Sequence, residues 1–157
     1  MKWLLAVLMS AVTGLSMAAS PTPLDDSQRI VLVTGSTGGL GREVVRALAA
    51  LGDHVIIHGR DSGRGEALAT EINDAGPGSA RFYRADFGSL DEVRMLASEI
   101  TRDYSRLDVI VNNAGIAQGY SFVAGEREDW DKTFAVCWLG VYYNTRAFLD
   151  LLIAAPV

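Results

Sequence analysis

Polar and apolar positions alternate in blocks along the chain. Residues 30–33, Ile-Val-Leu-Val, form a short apolar run closed by Thr34-Gly35, which predicts a buried strand. Residues 40–51 carry apolar side chains at 40, 44, 45, 48 and 51, the stripe of a helix lying on a sheet. The alternation then repeats. It predicts a strand at 55–57, a helix at 65–75, a weaker strand at 80–85, a helix at 90–104 with Ser89 as N-cap, and a strand at 107–111. Residues 130–153 read as one long helix, with Phe134, Leu139, Tyr142, Phe148 and Leu151 on its buried side. Continuous apolar strands alternating with amphipathic helices imply an α/β, doubly wound fold: a parallel sheet covered on both faces.

Composition narrows the picture only a little. A chain of 157 residues, 49% hydrophobic and 21% charged, suits one folded domain and excludes a disordered one. The formal charge of −5, with 14 scattered basic residues, argues against a nucleic-acid partner. Cys137 is the single cysteine, so no intrachain disulfide forms, and no Cys/His set has zinc spacing. His54 and His58 share one strand face but lack a third ligand nearby, so no metal site is expected. Residues 1–19 differ from the rest. Lys2, the apolar run from Trp3 to Met9 and the small residues Ser16 and Ala18 resemble a secretory signal peptide. The alternative is an anchor through residues 3–19; both place the protein outside the cytoplasm or on a membrane. A true start at Met17 would make it cytoplasmic. Residues 20–28 read as a linker, and 29–157 as the domain.

The strongest local signal is Thr34-Gly35-Ser36-Thr37-Gly38-Gly39-Leu40-Gly41, set between the first strand and the first helix. Glycines permit a tight turn and let backbone approach a pyrophosphate, while free N–H groups at the helix start supply donors. Glycines at 35, 39 and 41 resemble the Thr-Gly-x-x-x-Gly-x-Gly pattern of the short-chain dehydrogenase/reductase (SDR) family. Glycines at 35, 38 and 41 resemble its extended, epimerase-like branch. Asn112-Asn113-Ala114-Gly115, directly after the fourth strand, resembles the signature of the classical branch and breaks the tie.

The resemblance covers residues 29–153 and implies the N-terminal part of a Rossmann domain, incomplete at the C-terminus, that binds a dinucleotide. It implies that Gly35, Ser36, Thr37, Gly39, Leu40 and Gly41 serve the phosphates, Asp86 the adenine and Asn113 the ribose region, with Asn112, Ala114 and Gly115 in the same cofactor-binding segment, where Asn112 and Asn113 also hold neighbouring strands together. Gly59 stands where NAD-preferring members carry an acid, and Arg60 follows it. That pair resembles the NADP-preferring members, since a guanidinium pairs with a 2′-phosphate that a carboxylate would repel. NADP is therefore the expected cofactor, ahead of NAD. The plainer alternatives are that Arg60 is a solvated loop residue paired with Asp61, and that Asp86 is simply an acid near a helix start.

Catalysis is where the pattern departs from the family. Its tetrad asparagine is replaced by Cys137, a weak donor and acceptor that reads as a small buried residue. The family also needs a tyrosine with a lysine four residues later. Four residues after tyrosines 83, 104, 120, 142 and 143 stand Phe87, Asp108, Ala124, Arg146 and Ala147, and the only lysines are Lys2 and Lys132. No catalytic residue is assigned. The expected function is the cofactor-binding part of an NADP(H)-dependent oxidoreductase of carbonyls or alcohols. The alternatives are a non-catalytic nucleotide-binding or interaction protein, or an inactive truncated gene product. The substrate loop, and with it the small-molecule substrate, is not assigned.

Overall fold

Strands built on short apolar runs form the sheet's interior, and its two faces are sorted by the period-two geometry of extended chain. The computed structural model describes Leu24, residues 27–117, Ser121 and residues 123–156. The expected signal or anchor at 1–19 and most of the 20–28 linker lie outside the described residues. Strands β1 (Ile30–Val33), β2 (His54–Gly59), β3 (Ser79–Arg84) and β4 (Val109–Val111) form one parallel sheet in the order β3-β2-β1-β4. Along β1, Ile30 and Leu32 point to one face and Val31 and Val33 to the other. The first pair joins Ile56, Leu96, Ile100, Leu107 and Phe148, and the second joins Val45, Val55, Ile57, Leu68 and Ile72. Central β2 is buried along its full length, six residues where the apolar run alone predicts three. Its polar ends, His54, His58 and Gly59, hide the strand's extent in the sequence.

Helices α1 (Gly39–Ala50), α2 (Ser62–Ala75) and α3 (Leu90–Asp103) are the crossovers between parallel strands. Helix α2 begins three residues earlier than the apolar pattern predicts, because Asp61 caps it by accepting the Arg64 N–H at 3.0 Å. Ser89 caps α3 as expected, accepting the Glu92 N–H. A side chain at Gly65 would run into the Phe82 ring, so the glycine lets α2 lie close on β3.

The expected long helix is instead a succession of segments. Helix α4 (Arg127–Phe134) passes through a π-helical turn at Ala135–Leu139 into α5 (Gly140–Ala147), and α6 (Leu149–Ile153) follows a break at Phe148. The wider turn rotates the buried face, which runs at intervals of four through Val136, Gly140, Asn144 and Phe148. Phe148 and Leu151 are buried as predicted, but Phe134, Leu139 and Tyr142 are exposed. That expectation is corrected: an unbroken period of 3.6 does not apply across a π-turn.

Candidate functional site

Parallel strands bring all their C-terminal ends to one edge of the sheet. Register pairs Val33 with both Ile57 and Val111, and Gly59 with Arg84. The residues just beyond these strands, Thr34 to Gly41, Arg60, Asp86 and Asn112 to Gly115, therefore gather there. Strand order reverses between β1 and β4, and ligands of open α/β sheets bind at such a switch point. A cleft of about 720 Å³ opens at this edge, with walls that include Gly35, Thr37, Leu40, Arg60, Asp86, Asn113, Ala114 and Gly115.

The glycine-rich turn is held by close packing. Gly35 has φ +64°, and a Cβ there would lie 2.8 Å from the Ala114 Cα. A Cβ at Gly41 would strike the Asn113 side-chain nitrogen and lie 2.9 Å from the Gly35 carbonyl oxygen. Ser36 is fully buried: its hydroxyl donates to the Val33 carbonyl at 2.7 Å and accepts the His58 N–H at 3.2 Å. Gly35, Gly41 and Ser36 therefore build the turn, while Thr37, Gly38 and Leu40 face the cleft. No side chain caps α1, so the N–H groups of its first turn are left for an anionic ligand.

Across the turn, the Asn-Asn-Ala-Gly segment divides its labour. The Asn113 amide donates to the carbonyls of Thr34 and Gly35 at 2.9 and 3.2 Å, and the Thr34 hydroxyl accepts the N–H groups of Asn113 and Ala114. Asn112 turns away from the cleft: its amide donates to the Thr145 hydroxyl, and its oxygen accepts from Asn144 at 2.8 Å. Thr34 is thus the joint between the first and fourth strand ends, a role that spacing alone does not reveal.

His58 is a second such joint. One ring nitrogen, Nδ1, accepts the Gly35 N–H at 3.2 Å, and the other, Nε2, donates to the Ala85 carbonyl at 3.1 Å, with the ring stacked on Phe87. Burial lowers its pKa to about 4, which keeps the imidazole neutral and able to accept. His54, at the opposite end of β2, bonds the Ser79 and Tyr104 hydroxyls, so the two histidines serve separate networks.

The cleft wall beyond β2 and β3 is charged. The Arg60 guanidinium stands 3.9 Å from the Asp86 carboxylate, not against Asp61, which holds Arg64 at 3.2 Å. Asp86 is fixed from both sides: its carboxylate accepts the Gly88 N–H, and its own N–H donates to Glu92. An open depression of about 580 Å³ shares Thr37, Arg60 and Arg64 with the main cleft. Lys132 of α4 lines the far wall. In a chain of net charge −5, the cleft thus collects three cations against one carboxylate, a balance suited to a phosphorylated ligand. Arg64 and Lys132 escape sequence reading, because nothing local marks which helical cations face a cleft.

Cys137 sits in the π-turn and is exposed, which corrects the expectation of a buried residue. Its thiol donates to the Ile116 carbonyl at 3.2 Å and accepts the Ile116 N–H at 3.4 Å. It performs both halves of an amide-like contact to that backbone.

Comparison with known proteins gives the site its context. Residues 29–156 match the short chain dehydrogenase family. The chain is 35% identical over 119 residues to the bovine dehydrogenase/reductase SDR family member 11, covering 75% of this chain and 47% of that protein. It is 42% identical over 104 residues to a 3beta-hydroxysteroid dehydrogenase of Mediterraneibacter gnavus, covering 66% and 37%. Among solved structures, a metagenomic short-chain oxidoreductase in complex with NADP superposes with a TM-score of 0.74 at 31% identity, over 80% of this chain and 57% of that one. An alcohol dehydrogenase from Thermococcus sibiricus complexed with 5-hydroxy-NADP gives 0.76 at 26% identity, over 80% and 53%. The chain spans about half the length of the curated relatives it matches.

Proposed function

The chain belongs to the short-chain dehydrogenase family, and from that premise we propose that it forms the cofactor-binding part of an NADP(H)-dependent oxidoreductase acting on a carbonyl or alcohol. The observation that carries the cofactor choice is the end of β2, where Gly59 leaves no carboxylate and Arg60 and Arg64 flank an open depression beside the cleft. A 2′-phosphate there meets two guanidiniums, while Asp61, the carboxylate in the depression's lining, is engaged by Arg64 at 3.2 Å. The uncapped start of α1 receives the pyrophosphate, and Asp86, held by Gly88 and Glu92, faces the adenine. Two solved relatives that superpose on this chain carry NADP or a derivative of it, which supports the reading.

When bound, the nicotinamide supplies or accepts the hydride. This chain's residues bind and orient it. A Tyr-x-x-x-Lys proton-donating pair does not occur in the sequence, so the chemistry would have to draw its proton from elsewhere. Titration of the purified chain with each cofactor, followed by nicotinamide fluorescence, tests the proposal. A charge-assisted phosphate contact contributes roughly 1.5–3 kcal/mol, so NADPH should bind about tenfold or more tightly than NADH. Arg60→Asp should reverse the order. Superimposable curves for the two cofactors would overturn it.

A further inference from the structure

Two residues far apart in sequence meet at the end of β2. A Cβ added to Gly59 would lie 2.5 Å from Thr37 Cγ2, 2.7 Å from Thr37 Oγ1 and 3.2 Å from Thr37 Cβ. These are branched atoms close to the backbone, and they cannot swing clear as the tip of a lysine would. The first two distances are below any tolerable carbon contact, whereas the third needs only a small adjustment. Thr37 also lines both the main cleft and the depression between Arg60 and Arg64. It therefore occupies the volume through which a side chain at position 59 would have to pass to reach a ribose.

We propose that Thr37 is a specificity-determining residue: its side chain packs over Gly59 and closes the place where an acid at the end of β2 would bind the ribose hydroxyls. The proposal rests on the reading of the cleft as a dinucleotide site. Cofactor choice is then set by a pair, with the cations of Arg60 and Arg64 attracting the 2′-phosphate and the Thr37–Gly59 contact excluding the competing carboxylate. An acid installed at 59 alone cannot convert the site, because it must first displace the glycine-rich turn that carries Thr37. Thr37→Ala removes Cγ2 and Oγ1, leaving only the tolerable Cβ contact, and so opens the position.

Two readouts on the full chain test this, one of them independent of any cofactor. In a thermal-unfolding cycle, Gly59→Ala in the Thr37 background should lower Tm by about 4 °C or more, as overpacking does. The loss should be largely absent when Thr37→Ala is combined with it. In fluorescence titrations, Gly59→Asp alone should weaken NADPH without gaining NADH. Thr37→Ala/Gly59→Asp should bind NADH about tenfold more tightly than Gly59→Asp does. Additive Tm changes would overturn the steric contact. Equal NADH affinity in Gly59→Asp and the double variant would overturn the role in specificity. If the unaltered chain bound neither dinucleotide, the specificity claim would fall with the reading of the cleft, while the Tm cycle would still report whether the contact exists.

Discussion

His58 shows how much one buried side chain can decide. It links the Gly35 N–H to the Ala85 carbonyl, and only a neutral ring with its proton on Nε2 satisfies both. Desolvation lowers the pKa of His58 and of His54 from 6.5 to about 4. Between those values the unfolded chain takes up protons that the folded chain refuses, so acid favours unfolding there. Each histidine contributes up to about 3 kcal/mol, present at pH 7 and lost as pH falls from about 6.5 towards 4. Asp103 and Glu71, whose carboxyls are held below their usual range by Arg102 and Arg46, lose their contribution only at lower pH. The urea midpoint should therefore fall clearly between pH 7 and pH 4.5, before most carboxylates titrate. A midpoint flat across that interval would contradict the buried, neutral histidines. A spacing rule does not reveal the joining roles of His58 and Thr34, since their partners lie on other strands and only register brings them together. Gly35, Arg60, Asp86 and Asn113 are legible in the sequence because each lies within three residues of the end of a predicted strand.

Among the elements, the existence and order of the strands and first three helices follow from local pattern, while the polar ends of β2 and the Asp61 cap of α2 lie outside it. The last helical segments do not. A π-turn at Ala135–Leu139 adds backbone per turn, and the large apolar residues Phe134, Leu139 and Tyr142 stand outside the face that Val136, Gly140, Asn144 and Phe148 occupy. The turn has no glycine or proline within it to announce it. The corrected face is directly testable. Phe148 is 1% exposed and packs with Leu96, Ile100 and Leu107, so Phe148→Ala should cost about 3–5 kcal/mol. Phe134 is 58% exposed, and Phe134→Ala should stay within about 0.5 kcal/mol. Chemical denaturation of both variants checks this; equal losses would restore the unbroken helix.

At the scale of the whole molecule, a cation-rich cleft sits on one edge of the sheet and an apolar surface lies along the last helices. Phe134, Trp138, Tyr142 and Ile153 are each more than half exposed, and β4 has no strand beyond it among the described residues. Exposed apolar surface of this kind binds hydrophobic dyes and promotes self-association. Light scattering on the purified chain should show concentration-dependent association, and a strictly monomeric solution would count against it. The central claim, that the C-terminal edge of the sheet holds a dinucleotide, is tested most directly by amide NMR of the isotope-labelled chain during titration with NADPH. The account predicts shifts concentrated at Gly35 to Gly41, Arg60, Asp86 and Asn113 to Gly115. Shifts at the opposite edge, around Gln28, Gly52 and Gly78, or none at saturating cofactor, would contradict it.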